Sequence, residues 1–222
     1  MRRRSPLRAA TVALVLVVVA GACSHGHGHG AARSTSTTAT SVLPNADDAG
    51  LRATQVQAGD LGTGYLQDTS SNNTVTSFCF GQDAAQGLRA TARAYVGYGR
   101  SPAGAAVLQL TFRFAPGDAA RFVAQADQMF STCSGVPDIQ GHAFTYQPTT
   151  AAVDGALAAT DAHTSRFGVS VGNGNLTEEA AFFHRGDIGV LIAVVTNQLP
   201  RADTDALATT AFAAAVRRAP SR

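Results

Sequence analysis

Gly168-Val169-Ser170-Val171-Gly172 matches the G-x-S-x-G pattern of serine hydrolases, in which the serine sits on a sharp turn between a strand and a helix. Such a site needs an acid and then a histidine further along the chain. Glu178 or Glu179, followed by His184, are in the right order. The local sequence argues against that chemistry. Asn173-Gly174-Asn175 follows the serine as a turn signal leading into another strand, where the elbow requires a helix. Glu178 and Glu179 are adjacent, so on a strand they point to opposite faces and cannot work as a carboxylate pair. The favoured reading is that the chain is not an enzyme, and a hydrolase using Ser170 is the remote alternative.

Metal chemistry has one candidate. His25, His27 and His29 alternate with glycine, and imidazoles on a flexible chain can capture Ni, Cu or Zn. No Asp, Cys or Met ligand follows closely, so a polar spacer is the favoured reading. His142, His163 and His184 are scattered without metal-ligand spacing. The chain has no lysine, which excludes Schiff-base and phosphate-loop lysine mechanisms. No cofactor is expected. Arg185-Gly186-Asp187 has the form of an integrin-binding tripeptide, but a hairpin turn accounts for its Gly-Asp pair.

The first residues set the address. Met1 to Arg8 is basic, Ala9 to Val19 is an apolar run broken only by Thr11, and small residues then lead to Cys23. The run is too short for a comfortable membrane span and suits a secretory leader over residues 1–22. Val19-Ala20-Gly21-Ala22-Cys23 resembles the lipobox of bacterial lipoproteins, although Leu is commoner than Ala at position 20. That resemblance implies diacylglyceryl attachment at Cys23, the two-chain anchoring that a single acyl chain cannot supply. Residues 23–44 then form a His/Gly and Ser/Thr-rich tether with no apolar positions to pack through Ser41. The expected location is the outer face of the cell membrane, held by the lipid. Four of the 17 arginines lie in the leader and all 15 acidic residues lie after Cys23, so the mature chain has net charge −2 with neutral histidines. Nothing in that balance favours nucleic acid.

With Cys23 acylated, Cys79 and Cys133 remain. An even pair outside the cytoplasm reads most simply as a disulfide, and the spacing gives no support to a redox or metal pair.

Residues 45–222 are expected to form one domain. Ala46-Asp47-Asp48 can cap a short helix through about Ala53. Val75 to Phe80, Arg89 to Tyr98 and Ala106 to Phe114 read as strands, the last two alternating so that one face is buried. After Pro116-Gly117 the period becomes helical, with Ala119, Phe122, Val123, Ala126, Met129, Phe130 and Cys133 on one face. Further strands are expected near 143–147, 156–159, 166–171, 177–185 and 188–197. The last of these is apolar enough to be covered on both faces. A final helix from about Thr204 to Arg218, capped by Asp203, closes the chain. This order predicts an α+β fold, an antiparallel sheet with two main helices packed on one face.

Asp60-Leu61-Gly62-Thr63-Gly64-Tyr65, the Cys79 strand, the hairpin ending in Gln109-Leu110-Thr111-Phe112-Arg113-Phe114, the helix to Cys133, the Arg185-Gly186-Asp187 turn and the closing Ala-rich helix occur in a familiar order. Together they resemble the PknH-like extracellular sensor domain of mycobacterial receptor kinases and its stand-alone actinobacterial lipoprotein relatives. The resemblance implies a sheet-and-helix cleft and a ligand-sensing role. It transfers no functional residue. The expected function is non-catalytic binding or sensing of a small molecule, lipid or cell-wall fragment; the alternative is an envelope protein-interaction or structural role.

Overall fold

The structure is a computed structural model and describes residues 48–68, 77–78, 82–100, 104–131, 143–147, 163–171 and 174–220. Backbone contacts divide the chain into Met1–Ser34 and Thr35–Arg222, and every described residue lies in the second unit. Cys23, Cys79, Cys133, His25, His27, His29 and the strand expected at 156–159 lie outside the described residues.

The elements are α1 (Ala49–Arg52), β1 (Leu66–Gln67), β2 (Ser77–Phe78), β3 (Gln82–Asp83), β4 (Ala90–Arg100), β5 (Ala105–Phe114), α2 (Asp118–Ser131), β6 (Ala143–Gln147), β7 (His163–Val171), β8 (Gly174–Arg185), β9 (Ile188–Asn197) and α3 (Arg201–Arg218). Seven strands form one sheet in the order β1-β4-β5-β9-β8-β7-β6, and every pairing is antiparallel. The pair β2–β3 stands apart from it. The expected α+β class and its two main helices are therefore present.

The placement of those helices differs from expectation: they cover opposite faces. Along β9, Ile188, Val190, Ile192 and Val194 share a core cluster with Ala208, Ala211, Phe212 and Ala215 of α3. Leu191 and Ala193, pointing the other way, pack with Phe122, Ala126 and Met129 of α2. The cause is in β9 itself. Apolar at every position from Ile188 to Val195, it needs cover on both sides, and one helix cannot wrap a sheet. The α2 side is dense: Phe122 stacks near Phe112, Phe114 and Phe182 with ring centres 5.4 to 5.8 Å apart. A Cβ at Gly189 would lie 2.6 Å from the Phe114 ring, so glycine lets that ring rest on the strand.

The polar face expected for β5 is also buried. Gln109 and Thr111 sit beneath the segment after α1, where Gln55 meets them. Gln55 Nε2 donates to the Ala94 and Gln109 carbonyls at 3.0 and 3.1 Å and lies 3.2 Å from Thr111 Oγ1. Gln109 Oε1 accepts from the Val56 amide at 2.9 Å. Buried amides are tolerated here because strand carbonyls and chain amides satisfy them.

Asp48 caps α1 as expected, its Oδ1 accepting from the Leu51 amide at 2.8 Å. The start of α3 is a correction. The helix begins at Arg201 after Pro200, with no side-chain cap, so Asp203 lies inside the first turn, where its charge still suits the helix dipole. The far end of α3 is fastened to the N-terminal loop: Arg218 Nε and Nη2 donate to Asp60 Oδ2 and Oδ1 at 2.5 and 3.2 Å.

Candidate functional site

The register first removes the hydrolase geometry. Ser170 lies within β7, opposite Asn175 of β8 and Ala143 of β6, and not on a strand-to-helix turn. His184 lies on β8 nine residues beyond Asn175, about 30 Å away along an extended strand. Its Nδ1 is buried without a hydrogen-bond partner among the described residues, so no acid orients the ring. Gly186 occupies the turn between β8 and β9 with φ of 58°, which accounts for the Arg185-Gly186-Asp187 sequence.

Glu178 and Glu179 face opposite sides of the sheet, as their adjacency predicts. Glu179 shares a face with Ala181 and Phe183, on the α3 side, and is buried. In the register it lies opposite Val194 of β9 and Arg166 of β7. Glu178 shares a face with Ala180 and Phe182, on the α2 side, and is only half-buried.

On that α2 side the pairings assemble one row across the whole sheet: Leu66, Gly99, Ala106, Val195, Glu178, Phe167 and Tyr146. The row lies just outside the core cluster under α2. Its neighbour row, with Leu108, Ala193 and Ala180, forms the margin of that core. Ala106 and Val195 are half-buried, space is open above Gly99, and Leu66 at the sheet edge is 76% exposed. The described part of the row is thus a small-residue, apolar floor with a carboxylate toward one end.

Glu178 makes no hydrogen bond or ion pair among the described residues. Burial alone pushes its carboxyl up to about 7, because no donor or cation offsets the loss of water. The group is thus partly accessible and without a partner among the described residues. Near neutral pH it is poised between an acid that donates a hydrogen bond and a carboxylate that attracts a cation.

In the sequence Glu178 stood out only as a candidate triad acid and as half of an adjacent pair. The missed signal is topological: β8 is interior to the sheet, so a carboxylate on each of its faces has to be accommodated, and one of the two has no partner. On the opposite face, a shallow open depression is lined by Ala49, Arg52, Ala53 and Gln57. Among the described residues no group of three or more His, Cys, Asp or Glu side chains could hold a metal, and no helix is long and apolar enough to cross a membrane.

No family model matches the chain, and no curated protein matches it. Among solved structures it is similar to the extracellular domain of PknH from Mycobacterium tuberculosis, at 11% identity and a TM-score of 0.47 over 77% of this chain and 98% of that one. This is a weak resemblance of fold, and it transfers neither a site nor a function.

Proposed function

We propose that the chain is an extracytoplasmic lipoprotein, tethered through Cys23, whose domain binds a small apolar molecule or lipid without transforming it. The observation that carries the binding role is the half-open floor of Gly99, Ala106 and Val195 ending at the unpaired Glu178. Apolar sites with one polar group to fix orientation are the usual form of a small-molecule pocket. The absence of a nucleophile with an oriented base in reach among the described residues accords with binding without turnover. The leader, the cysteine at its end and the polar tether support the address.

The test is native mass spectrometry of the chain purified gently from the membrane of an exporting host. The expected result is a diacylglyceryl mass on the N-terminal cysteine plus a reproducible non-covalent ligand. A bare domain from several hosts, with the floor inaccessible to small probes, would overturn the binding role. One observation favours a second reading, an envelope protein contact: Leu66 is highly exposed on the short edge strand β1. An exposed edge can accept another strand. Cross-linking from position 66 in intact cells would then trap one recurrent protein.

A further inference from the structure

We infer that the ligand of this floor has an apolar body and a cationic amine head, the body lying on Gly99, Ala106 and Val195 and the amine meeting the Glu178 carboxylate. The inference deepens the small-molecule reading and rests on it.

The argument is one of charge complementarity. A carboxylate partly withdrawn from water gains from a compensating donor or cation. Asp60 has one within the chain, in Arg218. Glu178 has none among the described residues: its register partners are Val195 and Phe167, β9 carries no charged residue, and the only charge on β5, Arg113, lies at its far end on the other face. Among the described residues nothing supplies that partner, and a proton or a ligand cation from solvent can. A cationic head gains the whole of that unmet interaction. A neutral head gains less, and an anionic head is repelled.

The floor suits the rest of such a molecule. From Gly99 to Glu178 the row crosses three strand spacings, about 14 Å, over glycine, alanine and valine. A linear or flat apolar body lies along it without displacing a large side chain.

Octylamine, octanol and octanoate are the probes, titrated into the full chain carrying Cys23→Ala, exported and purified without detergent so that none partitions into lipid. Binding is followed by calorimetry and by the methyl resonances of Val195 at pH 8. Octylamine is expected to bind at least about tenfold more tightly than octanol, with octanoate weakest. Glu178→Gln should bring octylamine down to the level of octanol. Ala106→Phe, which fills the floor, should weaken all three. Thermal melts establish that each variant is folded. Equal binding of octanol and octylamine, or an amine preference that survives Glu178→Gln, overturns the amine head and leaves the small-molecule reading standing. Failure of every probe to bind or to move the Val195 resonances overturns both.

Discussion

Arg218, four residues from the end of the chain, holds both carboxylate oxygens of Asp60, a residue 158 positions earlier in the loop after α1. Gln57 adds a third contact, its amide donating to Asp60 Oδ2 at 2.8 Å. Tyr98 of β4 sits alongside, its hydroxyl donating to the Val56 carbonyl at 3.2 Å. This cluster joins the first described loop to the last helix across the edge of the core.

Burial alone would push the Asp60 carboxyl up, but the Arg218 hydrogen bond, the Gln57 amide and the positive charges of Arg218 and Arg217 outweigh it and hold the group below its ordinary value of 3.8. A depressed folded-state pKa contributes stability that is present above 3.8 and lost as the pH falls through the folded value. Arg218→Ala should therefore lower stability by about 1 kcal/mol at neutral pH, a figure discounted because the guanidinium is partly exposed. The deficit should shrink as the pH falls below 3.8 and through the depressed folded value. Urea melts across that range check it; a deficit independent of pH would mean that packing, not the ion pair, is what Arg218 supplies.

Glu178 has the opposite sign. Its folded-state carboxyl stands at about 7 against an ordinary 4.5, so between those values the native state holds more protons than the unfolded chain. Stability contributed by the protonated form is complete below 4.5 and falls as the pH rises to about 7. Glu178→Gln, which keeps the shape and removes the charge, should match the wild type near pH 4. At pH 8 it should exceed it by roughly 1–3 kcal/mol. Melting temperatures at the two pH values decide this: a variant less stable than the parent at pH 8 would mean that the carboxylate has a partner in the folded protein.

How much of this was legible in the residues follows from range. The period of two in β5, the helical period of α2 and the Gly186-Asp187 turn are local patterns, and each located its element closely. The placement of the two helices depended on pairing. Continuous apolarity in β9 already required cover on both faces, and that conflicted with helices on one side. Gln109 and Thr111 looked like the solvent face of β5 because nothing local shows that Gln55, 54 residues earlier than Gln109, lies over them. The floor row was beyond reach for the same reason: its members come from seven different strands.

The Gln55 cluster gives a prediction sensitive to chemistry more than to size. Its Nε2 is aimed at two carbonyls and a hydroxyl, while its own Oε1 is buried without a partner among the described residues. Gln55→Leu, of similar volume, takes the Nε2 donor from the Ala94 and Gln109 carbonyls, while Thr111 Oγ1 keeps Gln109 Nε2 at 3.0 Å, and should cost about 2 kcal/mol. Gln55→Glu sets a carboxylate against the same carbonyls and should cost more at pH 8 than at pH 5, where protonation restores one donor. Equal losses for Glu at both pH values would show that the amide's hydrogen bonds are not what holds the segment down.

The cysteine pair is the last test. A bond between Cys79 and Cys133 would close a loop of 55 residues, and for such a loop the chain-entropy model gives about 4 kcal/mol as an upper guide. If the two are bonded, the exported protein should have an intact mass lower by two hydrogens than its reduced form, and only Cys23 should be unavailable to alkylation for another reason, its acylation. Cys133→Ser should lower the urea midpoint under oxidising conditions and should have little effect once the parent is also reduced, since the constraint acts on the unfolded chain. Two alkylatable thiols in the untreated exported protein would remove the disulfide.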